Sequence, residues 1–221
     1  MKVFAGCVSE RLPFEKYAKA LPFVELALRT PLPKLNKLRS WRQSMPNDLK
    51  VSVVIPTGCY CTKEEVFASK QIASEEVTWL VEAATSTQAN FLIFVTPAKF
   101  GPGVQDRQRM KAFVDDLKTK VDAKLVWEPK GMWEIEAAAE FAKELDIIVA
   151  VDLLGKDKAP RSNTMYIREH AMGLRQRFGD SAIYDIIENL YEAKPEEAYI
   201  ALDSDRSFDE AKNFLKVLSS F

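Results

Sequence analysis

Histidine is nearly absent from this chain: His170 is the only one in 221 residues. A single imidazole excludes zinc centres built on paired histidines, and no HExxH, GxSxG or phosphate-loop motif occurs. Glycine is scarce as well, at 8 residues, about half the usual ~7%, which leaves little for elaborate loops. The three cysteines, Cys7, Cys59 and Cys61, are an odd number without a CxxC pair, and read as free thiols of a reducing compartment. No apolar run approaches the ~18 residues of a membrane span. The N-terminal MKVFAGCVSERLPF meets charge and proline too early for a secretion signal. A soluble, cytoplasmic protein is expected. Charge of one sign is missing too: 31 Lys and Arg against 32 Asp and Glu leave a net charge of -1. Nucleic acid or acidic lipid therefore meets no global field, and binding to either needs a local patch. The basic cluster Lys34, Lys37, Arg39 and Arg42 reads as a solvated helix face.

What is present is a regular alternation. Eight short β-rich runs are expected at Val3 to Val8, Phe23 to Leu28, Leu49 to Pro56, Phe91 to Thr96, Lys124 to Glu128, Ile147 to Asp152, Thr164 to Gly173 and Glu197 to Leu202. Helical periodicity separates most of them, as in Leu35, Leu38, Trp41 and Met45, or Ile135, Ala138, Ala139, Ala142 and Leu145. Capping boxes are expected at Thr62-Lys63-Glu64-Glu65 and Ser207-Phe208-Asp209-Glu210, with a further helix start at Ser74. Gly101-Pro102-Gly103 reads as a turn, because Asp106 stands where a dinucleotide fingerprint wants its third glycine. The weakest repeat is Leu153 to Asn163, polar and without helical periodicity. Strand-then-helix repetition implies parallel strands with right-handed crossovers. Eight such units favour a single-domain TIM-like (β/α)8 barrel over residues 1–221, irregular after strand 6, over an open doubly wound sheet with two edges to shield.

Barrel sites form where the carboxyl ends of the strands open, so polar residues of inward parity there are the candidates. On the seventh strand Tyr166, Arg168 and His170 share one face. Parity adds Glu25 and Arg29, Glu128 and Lys130, Asp152, and Asp203. Asp152, Glu128, Asp203 and His170 are ligand types suited to a divalent cation, and His170 also to acid–base work near neutral pH. Arg168 and Lys130 suit a phosphate or carboxylate. Each has a plain structural reading beside it: Glu25 as an interior ion-pair partner, Glu128 and Asp152 as helix caps, Asp203 as a turn residue.

Several of these segments, in this order, resemble the YecE-like family, also called domain of unknown function 72. They are Val24-Glu25, Phe91 to Phe100, Glu128-Pro129-Lys130-Gly131-Met132-Trp133, Val151-Asp152, Tyr166 to His170 and Tyr199 to Leu218. Archaeal members carry a similar Trp-Glu-Pro-basic-Gly segment. The resemblance implies a TIM-like barrel of unestablished activity and carries over Glu25, Glu128, Lys130, Trp133, Asp152, Arg168 and His170. Three departures stand out: Ala27, Leu28 and Arg29 replace an Asn-Ser-Thr-Phe-Tyr run, Ala171 replaces a glycine, and Asp203-Ser204 replaces Asn-Asn. The first expectation is therefore an enzyme whose Glu128, Asp152 and His170 do the chemistry, with or without a divalent metal. Glu25, Lys130, Trp133, Arg168 and Asp203 would bind a small anionic or phosphorylated substrate, and fold-level analogy alone suggests a hydrolase or isomerase. The second is a non-enzymatic barrel that binds a metabolite, a nucleic acid or a protein.

Overall fold

A computed structural model describes residues 1–62, 65–67, 74–155, 160–173 and 176–221. Its eight strands are β1 (Lys2–Ser9), β2 (Phe23–Leu26), β3 (Lys50–Val54), β4 (Phe91–Val95), β5 (Lys124–Glu128), β6 (Ile148–Val151), β7 (Thr164–His170) and β8 (Glu197–Asp203). They pair in sequence order, all parallel, and β8 closes on β1, giving the barrel the alternation implied. Around them lie helices α1 (Glu15–Ala18), α2 (Leu35–Ser44), α3 (Ser74–Thr87), α4 (Val104–Lys118), α5 (Ile135–Glu144), α6 (Asp180–Ala193) and α7 (Ser207–Leu218). Between β6 and β7 the described residues hold no helix, where the sequence lacks an apolar stripe. No described helix is long and apolar enough to cross a membrane.

Two apolar layers account for the packing. Inside the barrel, Phe23, Phe91, Ile93, Val126, Tyr166 and Tyr199 fill its amino-terminal half. Their rings meet edge to face, Phe91 on Tyr199 at 4.5 Å and Phe23 on Tyr166 at 5.9 Å between centroids, a geometry that aligns ring edges with ring faces. Outside, the other parity of each strand packs on the helices; Trp127, for example, meets Trp133 at 4.8 Å and Phe141 at 6.1 Å. Short elements thus read two ways at once, one face into the barrel and one under a helix.

Several local expectations are corrected. Ser207 is the first residue of α7 rather than its cap; Ser204 accepts from the Arg206 amide at 3.2 Å and donates to Glu210 instead. Arg42 does not lie on the solvated face with Lys34, Lys37 and Arg39. It is buried, and donates to the carbonyls of Pro46 at 2.8 Å and Asn47 at 3.1 Å, closing the end of α2. In the expected capping box at Thr62, Lys63 and Glu64 lie outside the described residues, while Thr62 Oγ1 accepts from the Glu65 amide at 3.0 Å. Ser74 does open α3, and Gly101 to Gly103 is a turn that Asp106 caps at 3.0 Å.

On the outward face of β7, Glu169 is buried and accepts from the Leu153 amide at 2.7 Å. Burial first, and its hydrogen bond and repulsion with Asp152 second, push its carboxyl from 4.5 up to about 8. Folding therefore takes up a proton between those values, and stability falls as pH rises across that window. Glu169→Gln keeps the acceptor and removes the charge. It is expected to flatten this part of the stability curve, gaining on the order of 5 kcal/mol above pH 8 at about 1.4 kcal/mol per pKa unit and little near pH 4.5; urea unfolding at the two pH values measures it.

Candidate functional site at the barrel mouth

The inward face of β7 carries three polar side chains in ascending order towards the mouth: Tyr166, Arg168 and His170. Tyr166 stands among the aromatic rings, and its hydroxyl donates to Glu25 Oε2 at 2.6 Å. Arg168 is one layer higher. Its Nε and Nη2 each lie 2.8 Å from Glu25 Oε1, and its Nη1 donates to Glu128 Oε2. The other Glu128 oxygen pairs with Lys130 Nζ and, at 3.1 Å, with His170 Nε2. His170 Nδ1 lies 3.0 Å from Asp203 Oδ2, its register neighbour on β8. One connected ladder of charges thus climbs from the barrel interior to solvent.

Exposure rises with it. The side chain of Glu25 is 0% exposed, Arg168 and Glu128 are 9%, and His170, Lys130 and Asp203 are 37%, 45% and 47%. Small neighbours leave room for the guanidinium, since Ala201 stands opposite Arg168 on β8. Lys130 reaches Glu128 from a turn set by Gly131, whose φ is +82° and where a Cβ would sit 2.4 Å from the Ala98 carbonyl oxygen.

The ladder fixes the protonation states. Burial alone would raise the Glu128 carboxyl, but the His170 hydrogen bond and the charges of Arg168 and Lys130 outweigh it and hold it down at about 2. His170 is raised to about 9, first by Asp203 and then by Glu128, against the opposing effect of burial. Asp203 is lowered, chiefly by its bond to His170. Burial pushes the Glu25 carboxyl up, with Arg168 and Tyr166 pulling the other way. Arg168 stays charged because Glu25 and Glu128 overcome its desolvation. At neutral pH His170 is an imidazolium, a proton donor rather than the base its ordinary value suggests.

Glu128, Lys130, Arg168, His170 and Asp203 are therefore brought together as the sequence implied. Glu25 joins them from below, out of reach of any ligand, in its interior ion-pair role. Asp152 does not join: its Oδ1 accepts from the amides of Leu154 and Gly155 at 2.9 and 3.0 Å, a turn outside the mouth. Trp133 is buried in the outer layer, stacked between Phe100 and Phe141, with its Nε1 donating to the Phe100 carbonyl at 3.1 Å. Arg29 pairs with Glu10 at the surface. Cys7, Cys59 and Cys61 are free thiols. Tyr166 is the partner missing from the sequence-derived set, although its parity with Arg168 marked it.

The expected metal set does not fit this geometry. Both His170 nitrogens and both Glu128 oxygens are already paired, and Asp152 is elsewhere. Among the described residues no group of three or more His, Cys, Asp or Glu is arranged to hold an ion.

No family model and no curated protein matches the sequence. Solved structures do resemble the fold. A DUF72 family protein of Enterococcus faecalis V583 superposes with a TM-score of 0.71 at 16% identity, over 100% of this chain and 98% of that one. A D-tagatose 3-epimerase-like protein gives 0.63 at 13% identity over 100% and 99%. The protein IolI, solved with a bound zinc atom, gives 0.61 at 11% identity over 99% and 96%.

Because His170 is the only histidine, its ring can be followed without assignment. Nitrogen-detected NMR is expected to show both ring N–H groups through pH 7, with a midpoint near 9. In Asp203→Asn the midpoint should fall towards 6.5; a wild-type midpoint near 6.5 contradicts the ladder. The contribution of His170 to stability is complete below about 6.5 and is lost as pH rises through 9.

Proposed function

We propose that the barrel mouth binds a small anionic ligand, a phosphate ester or a carboxylate, and that His170 hands a proton to it. The reading is carried by one observation: two half-exposed cations, Lys130 and His170, meet at Glu128 directly above a buried Arg168. An ammonium offers three donors, and Glu128 is the only ion-pair partner of Lys130 among the described residues. A ligand oxygen entering there exchanges with a carboxylate for these donors, and charge-assisted bonds of this kind are short and strong. Glu128, held ionised, stabilises the imidazolium, and the neutral imidazole left after the transfer takes its next proton from solvent, so His170 is the proton carrier and Glu128 and Asp203 hold its ring from both sides. Lys130 and Arg168 supply the positive side.

The barrel-mouth location supports the reading, since active sites of this fold sit there. It is an argument from fold, as is the likeness to an epimerase-like barrel. Three buried or half-buried thiols fit the same protein in the cytoplasm. A second reading has its own support: all six charges of the ladder are already partnered, which suits a binding barrel without turnover.

A calorimetric and thermal-shift panel of sugar phosphates, glycerol phosphate, citrate and inorganic phosphate tests the proposal. A hit is expected to weaken at least about tenfold, or 1.4 kcal/mol, in Lys130→Ala and in His170→Gln, with unfolding temperatures within a few degrees of wild type. A ligand whose affinity ignores both substitutions refutes the site. Turnover that His170→Gln abolishes even at saturating ligand identifies the enzyme; binding without turnover of any panel member favours the second reading.

A further inference from the structure

Glu25, Glu128, His170 and Asp203 converge from β2, β5, β7 and β8, and three carboxylates with one imidazole are a donor set typical of a divalent-cation centre. The middle of this set is filled by the chain itself. The Arg168 guanidinium lies between Glu25 and Glu128, with Nε and Nη2 each 2.8 Å from one carboxylate and Nη1 on the other. We propose that Arg168 is the resident cation of this barrel: it fastens the β2 and β5 carboxylates in the place a divalent metal would take, so that the mouth works without one.

Four points support the assignment. A guanidinium is planar, permanently charged and weakly hydrated, which makes it the cation best suited to bridging two carboxylates in a buried layer. Its oxygen partners are committed on both sides: Glu25 also accepts from Tyr166 at 2.6 Å, and Glu128 also pairs with Lys130 and His170. The imidazole is committed too, with a carboxylate oxygen 3.0 or 3.1 Å from each nitrogen, so a metal would have to displace one of these carboxylates and the proton it shares to find a lone pair. Glu25 is fully buried beneath Arg168, and an incoming ion would have to shed its water to reach it, whereas an arginine is delivered by folding. The inference concerns which cation holds the site together, and stands whether or not the mouth proves catalytic.

Mn2+ is the probe, since electron paramagnetic resonance counts the free ion directly. Wild-type protein at pH 7.5 is expected to take up no Mn2+ beyond the amount bound by Glu128→Gln, and chelator treatment is expected to leave its melting temperature unchanged. Arg168→Ala removes the internal cation and leaves Glu25 and Glu128 facing each other. It should bind one Mn2+ at least about tenfold more tightly than wild type, and the double variant Arg168→Ala/Glu128→Gln should lose that gain. One equivalent of Mn2+ on the wild type that Glu128→Gln abolishes overturns the proposal, as does a folded Arg168→Ala that gains no affinity. Arg168→Met, which keeps the apolar stem, takes its place if the alanine variant does not fold; the wild-type comparison decides alone if neither does.

Discussion

The bridging of Glu25 and Glu128 by Arg168 is the constraint on which the upper half of this barrel depends. Taking a guanidinium and two carboxylates out of water costs several kcal/mol per ion, and only close, multiply bonded pairing offsets it. Here three nitrogens of one side chain meet carboxylates from two strands, and Tyr166 takes another oxygen. The strands involved are β2, β5 and β7, which are not adjacent in the sheet, so the ladder ties opposite walls of the barrel. Such a cluster is not needed for stability in the way an apolar layer is. It is expensive to break on one side only, since a single lost partner leaves an uncompensated buried charge worth about 3–5 kcal/mol.

That cost explains the sequence of residues along β7. An apolar layer of rings ends at the Tyr166 hydroxyl, the first polar atom above it. Arg168 follows where burial is still nearly complete, and His170 where the side chain is already one-third exposed. The dielectric rises with height, and the groups are ordered accordingly: those that must be fully paired sit deep, and the one that titrates most readily sits where water can reach it. Preorganisation of the mouth is thus a consequence of interior electrostatics. His170 is held from both sides by carboxylates whose own positions are set by Arg168 and by the β8 register.

Most of this was legible wherever a residue stayed inside a strand. Period two on β7 put Tyr166, Arg168 and His170 on one face, and the count of strands closed the barrel. Reading failed just beyond strand ends. Asp152 has inward parity after Ile148 and Ala150, but β6 stops at Val151 and the chain turns, so the carboxylate caps amides instead. Trp133 follows the β5 turn, where parity has no meaning, and the indole is drawn into the outer layer by Phe100 and Phe141. Arg42 likewise left its helical face because the unsatisfied carbonyls beyond α2 were within its reach. His170 was found but not its protonation, because that depends on two carboxylates brought in from β5 and β8, distances no one-dimensional pattern carries.

Neutrality decides what the mouth can recognise. Lys130, Arg168 and His170 balance Glu25, Glu128 and Asp203, so the cluster exerts little net pull at a distance, and the chain as a whole carries only -1. A ligand is therefore selected at contact, by exchange of partners, rather than by long-range steering. Glu128 is the pivot of that exchange: it can release Lys130 and still keep Arg168 and His170, so giving up one cation does not strand its charge. Asp203, half exposed, can release His170 to water at little cost. The deep pair cannot be exchanged in this way, since Glu25 has no access to solvent. The ladder is thus divided by burial into a fixed foot, which holds the barrel walls, and a labile top, where chemistry or binding takes place without loosening what is beneath.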